Sequence, residues 1–156
     1  MTQVVSTELG WSGYAPRHCH DCSGSTGTCT YAERVGWETS YTVSFGHDAS
    51  LAGQGASDIT GNAGLNFDYE WTQSFSGSAT ADCEFPGGPY GRLLVQTRIG
   101  IANTKSRLCK SSCINEICEE WEYGRVEYPI KDGNELAVDG TKCETVDTEE
   151  ACYAGT

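Results

Sequence analysis

From Trp37 to Leu51 the odd positions hold Trp37, Thr39, Tyr41, Val43, Phe45, His47, Ala49 and Leu51, and the even positions hold Glu38, Ser40, Thr42, Ser44, Gly46, Asp48 and Ser50. A period of two is the repeat of a β-strand with one apolar and one wet face, and it does not fit a helix. A Gly- and Ser-containing turn follows at 52–58. The alternation then resumes, with Ile59, Ala63, Leu65, Phe67, Tyr69, Trp71 and Phe75 on one face. Thr60, Asn62, Asn66, Asp68, Glu70, Thr72, Ser74 and Ser76 occupy the other. The two runs predict a long antiparallel hairpin. Between Arg34 and Arg92 there is no Lys or Arg, so the hairpin's only formal charges are acidic.

The flanking sequence is organised around this hairpin. Leu93, Val95, Ile99 and Ile101 alternate and predict a further strand, with Arg92, Arg98, Lys105, Arg107 and Lys110 in or near it. This mildly basic strand is expected to pair with the acidic hairpin, which offsets charge. Residues 119–129 predict a short strand. Residues 1–36 carry frequent Gly, Pro and Ser, and read as an irregular, disulfide-pinned lobe. The expected layout is one domain over 1–156: that lobe, an antiparallel β core at 37–108, and an acidic, Cys-rich region at 109–156. The fold class expected is all-β, an elongated antiparallel sheet or sandwich with a long hairpin, stabilised by disulfides.

The cysteines are Cys19, Cys22, Cys29, Cys83, Cys109, Cys113, Cys118, Cys143 and Cys152. Such clustering in a small polar chain reads as a disulfide framework in an oxidising compartment. Nine is odd, so at least one thiol is free or pairs between chains. The pairing stays open, because eight cysteines alone allow 105 connectivities. The opening Met-Thr-Gln-Val-Val has neither a basic nor an apolar signal region. The chain is therefore expected to begin at a mature, secreted form, with Met1 added for expression.

Net charge excludes some functions. Twenty-two acids against ten bases give −12, which argues against nucleic acid as a partner. No run approaches the ~18 apolar residues of a membrane helix, which argues against a constitutive integral membrane protein. Residues 111–156 alone hold twelve acids and three bases.

His18-Cys-His-Asp-Cys22 is the segment densest in reactive groups. Imidazole, thiolate and carboxylate in five residues suit zinc or copper. In an oxidising compartment the favoured reading is instead disulfide-bonded cysteines and a solvated histidine turn, with no metal and no cofactor. A hydrolase using His18, His20 or His47 with a carboxylate is a weaker alternative, and no catalytic residue is assigned. Trp11, Tyr14, Trp37, Trp121 and Tyr123 are candidates for stacking on a sugar or anchoring an interface.

The segments Tyr41-Thr-Val-Ser-Phe45, Ala63-Gly-Leu-Asn-Phe-Asp-Tyr-Glu-Trp-Thr-Gln-Ser-Phe-Ser-Gly-Ser78, Cys83 and Tyr90-Gly-Arg-Leu-Leu-Val95 carry a resemblance. Over roughly residues 37–100 the chain resembles small secreted cysteine-rich effector-like proteins of filamentous fungi. Its Ser/Thr-rich hairpin is similar to the insertion module of aerolysin-type pore-forming toxins. The resemblance implies a virulence or antimicrobial role. The function expected is a secreted, extracellular, non-enzymatic effector or toxin that perturbs membranes through the hairpin. Its candidate contacts are Tyr41, Val43, Phe45, Leu65, Phe67, Tyr69, Trp71 and Phe75, and its partners a host membrane, a host protein or glycan, or further copies of itself. The alternative is a β-sandwich module that binds a host protein or glycan.

Overall fold

The computed structural model describes residues 2–44, 51–52, 59 and 70–155. The strands are β1 (Thr2–Trp11), β2 (Ala15–Asp21), β3 (Cys29–Tyr31), β4 (Arg34–Ser44), β5 (Leu51–Ala52), β6 (Glu70–Thr80) and β7 (Cys83–Phe85). They continue as β8 (Tyr90–Ser106), β9 (Cys109–Ser111), β10 (Glu116–Cys118), β11 (Glu122–Pro129), β12 (Lys131–Asp132), β13 (Glu135–Leu136) and β14 (Val138–Val146). One short helix, α1 (Glu149–Cys152), is capped by the Thr148 hydroxyl accepting from the Ala151 N–H. The protein is all-β, as its alternation requires.

β8 is the central strand. Leu93, Leu94, Val95, Thr97, Ile99, Gly100, Ile101 and Ala102 are all buried, so both of its faces are covered along this stretch. Its first half pairs antiparallel with β2 and β14. Farther along, Ile99–Ser106 pairs antiparallel with β11, and β1 is the neighbouring strand on the other side. Among the described residues, the expected pairing of this strand with the acidic hairpin does not form. β4 and β6 instead make a separate two-stranded sheet. Among the described residues, the strands paired along β8 are β1, β2, β11 and β14.

Residues 1–36, expected to be irregular, hold β1, β2, β3 and the start of β4. Thr and Val dominate the start of β1, and they fit a pleated surface. Pro16, which cannot donate to a ladder, sits where β2 shifts register against β8, the usual place for proline within a sheet. Gly and Ser punctuate only the connections, such as the β2–β3 turn, where Gly27 takes φ 120°.

The described residues group into two compact units that interleave along the chain. One comprises Met1–Gly10, Ser40–Phe75 and Ile99–Lys131, and the other Trp11–Thr39, Ser76–Arg98 and Asp132–Thr156. The second has a core of Cys22, Cys29, Val35, Ala81, Cys83, Phe85, Leu93 and Val95. In the first, Tyr128 lies opposite Gly100 in the β11–β8 ladder, and its ring occupies the space a Gly100 side chain would need. Gly91 under Phe85 and Gly77 under Trp37 repeat this arrangement in the second unit.

Four disulfides form: Cys19–Cys152, Cys22–Cys29, Cys83–Cys143 and Cys109–Cys118. Cys113 is the free, exposed thiol. Such a framework belongs to an oxidising compartment. Cys109 and Cys118 are direct partners in the β9–β10 register. Cys83, alone in mid-sequence, joins the tail. No helix among the described residues is long and apolar enough to cross a membrane.

Candidate functional site

The hairpin arms keep the parity read from the sequence. Along β4, Val35, Trp37, Thr39, Tyr41 and Val43 are covered or partly covered, and Arg34, Gly36, Glu38, Ser40 and Thr42 are exposed. On β6, Trp71 and Phe75 face inward, and Thr72, Ser74 and Ser76 face water. Arg34 donates to the Ser78 hydroxyl at 2.7 Å, and the Thr42 and Thr72 hydroxyls lie 3.0 Å apart. These contacts at opposite ends show that the arms run antiparallel.

In the first unit, Phe75 is 4 % exposed and Val43 is 3 % exposed. Tyr41 meets Phe75 edge-on at 5.8 Å between ring centres, and Trp71 lies 5.8 Å from Phe75. The Lys131 ammonium stands 5.3 Å from the Phe75 ring centre, a cation–π distance. A cavity of about 490 Å³ is lined by Tyr41, Thr42 and Val43 of β4 and by Arg125, Val126 and Glu127 of β11. Arg125 and Glu127 are ion-paired at 3.6 Å.

Tyr41, Trp71 and Phe75 are thus brought together, and Val43 shares their covered face. Phe45, Leu65, Phe67 and Tyr69 lie outside the described residues. The sequence reading missed Lys131, Arg125, Val126 and Glu127. They lie about 50 or more residues from Phe75 or beyond the hairpin altogether, and carry no local signal that they meet it.

β5 and Ile59 are the described parts of the segment between the arms. Leu51 and Ala52 pair in parallel with Thr2 and Gln3 of β1, and Ile59 is fully buried. Leu51, expected to close the first arm, and Ala52, expected to open the turn, thus pair with β1.

The candidate aromatic contacts divide. Trp11 and Tyr123 are 59 % and 78 % exposed. Trp37 packs under the Arg17 guanidinium at 5.1 Å and over Gly77, where a Cβ would approach its ring to 2.6 Å. Trp121 takes the Lys105 ammonium at 4.6 Å and the Arg107 guanidinium at 4.3 Å. Trp37 and Trp121 thus serve as packing partners for cations. Tyr14 is half-buried beside Gly140.

The His18–Cys22 segment is a strand with its end, not a solvated turn. Its cysteines bond elsewhere, Cys19 to Cys152 and Cys22 to Cys29. The His18 ring stacks on Tyr31 at 4.4 Å, and His20 lies 4.7 Å from the same ring. The Tyr31 hydroxyl donates to Glu33 at 3.3 Å. Burial, and then the neighbouring His20, hold His18 below its ordinary value. Burial and the Glu33 carboxylate push the Tyr31 phenol up.

Comparisons with protein-family models, with curated proteins and with solved structures find no match.

Proposed function

We propose that this protein is a secreted, non-enzymatic effector or toxin-like protein that perturbs membranes through its amphipathic hairpin. The observation that carries the reading is the two-faced character of β4 and β6. Tyr41, Val43, Trp71 and Phe75 are covered, while Ser40, Thr42, Thr72, Ser74 and Ser76 face water. A strand that crosses a bilayer needs an apolar outer face and a polar inner one over about 9–11 residues, with no charge on the lipid side. In the folded protein Val43 and Phe75 are buried, Tyr41 and Trp71 are partly covered, and Tyr41 and Val43 line the cavity against β11. Burial of Val43 and Phe75 is worth about 1.5–3 kcal/mol each, and a bilayer offers the same apolar solvent in return. With a net charge of −12, the target surface is neutral rather than anionic, because anionic lipid repels acidic chains.

The test is dye release from phosphatidylcholine vesicles. Release is expected at micromolar protein, reduced by Tyr41→Arg on the apolar face and retained by Thr42→Arg on the polar face. No release by the unaltered protein, or equal effects of the two variants, overturns the reading.

A second reading rests on β1, whose Val5 and Leu9 are 56 % and 62 % exposed. Exposed aliphatic residues on one face of a strand suit attachment to a host protein. Retention of host protein by the unaltered chain and its loss in Val5→Ser/Leu9→Ser, with dye release unchanged, would favour it.

A further inference from the structure

We infer that His18 and His20 form a surface site for one divalent copper or zinc ion. The two residues stand at i and i+2 on β2, so the pleat places both imidazoles on the same face. Their ring centres are 6.4 Å apart and their planes differ by 30°. An ion bonded to one nitrogen of each ring at about 2.0–2.1 Å holds the ring centres about 5 Å apart at a tetrahedral angle, and about 6.4 Å apart when the ligands are opposed. The pair stands at the upper end of that span, and side-chain rotation brings it to the tetrahedral value. Tyr31 braces both rings, which limits the rotamer entropy lost on binding.

The flanking cysteines define the donor set by withdrawing from it. Cys19 faces the other side of the strand, bonded to Cys152. His20, Cys22 and Cys29 place their donor atoms within 4.8 Å of one another, but the two sulfurs are joined to each other and offer no thiolate. What remains is imidazole, with Glu33 held 3.3 Å from the hydroxyl of the bracing Tyr31 and Asp21 next to His20 in the chain. Those carboxylates favour a cation beside the pair. Imidazole donors without thiolate suit copper, nickel and zinc, and among divalent ions copper binds tightest.

Titration of the intact, oxidised protein with Cu²⁺, followed by electron paramagnetic resonance and calorimetry, tests the site. One equivalent is expected at micromolar concentration, with superhyperfine lines from two nitrogen ligands, and Zn²⁺ competing more weakly. His18→Asn and His20→Asn are each expected to weaken binding about tenfold or more. Far-UV circular dichroism confirms that the variants fold, and the two-nitrogen signature of the unaltered protein needs no variant. Absence of binding, a signal without two nitrogens, or full binding in the His18→Asn/His20→Asn double variant overturns the assignment.

Discussion

Removing the Cys19–Cys152 bond is expected to destabilise the protein far more than removing Cys22–Cys29. The first bond spans 133 residues and the second spans 7. In the loop-entropy description, a cross-link restricts the unfolded chain more as the loop it closes grows. A loop of 133 residues corresponds to about 5 kcal/mol. The remaining bonds Cys22–Cys29 and Cys83–Cys143 bridge part of that loop, leaving about 66 residues and about 4 kcal/mol. The 7-residue loop corresponds to about 2.4 kcal/mol. Both pairs belong to the same compact unit. Each is replaced by alanine, so two sulfurs are lost in either case. The assay is urea unfolding followed by circular dichroism. With a slope of about 2 kcal/mol per molar, Cys19→Ala/Cys152→Ala shifts the midpoint by about 1 M more than Cys22→Ala/Cys29→Ala. Equal shifts, or a larger one for the short loop, would refute loop closure as the source of the stabilisation.

Gly100→Ala places a methyl group where the buried Tyr128 ring lies, and a loss of about 1–3 kcal/mol is expected in thermal unfolding; an unchanged melting temperature contradicts the glycine–ring packing. Glu144 accepts from Lys142 at 2.9 Å and from Arg92 at 2.7 Å, and those hydrogen bonds hold its carboxyl below the ordinary value of 4.5, Lys142 contributing most. Its stabilisation is therefore complete above about pH 4.5 and lost as pH falls through the lower folded value. Glu144→Gln should flatten that part of the stability–pH curve, and parallel curves would exclude it. Cys113 is the free, exposed thiol, so native protein should react with one equivalent of a disulfide reagent, and Cys113→Ser with none.

What was legible in the sequence was local. The parity of β4 and β6 follows from the pleat, which sends successive side chains to opposite faces whatever lies beyond them. Hence Tyr41, Val43, Trp71 and Phe75 share a covered side, as Tyr41-Thr-Val-Ser-Phe45 and Trp71-Thr-Gln-Ser-Phe75 require. The β1 and β2 strands were harder to see. Pro16 and the Gly/Ser-rich turn after Cys22 masked short extended stretches that owe their order to hydrogen bonds with β8 or its neighbours.

The sequence by itself determined an all-β chain, a disulfide framework with an odd thiol, and which residues of each hairpin arm face together. Only the tertiary structure decided which cysteines pair, which strands flank β8, which glycines lie under Trp37, Phe85 and Tyr128, and that Lys131 stands over Phe75. The division has a physical cause. Side-chain alternation is a property of a few consecutive peptide units, whereas partners are chosen by competition among distant edges and rings for one set of hydrogen bonds and one volume of core.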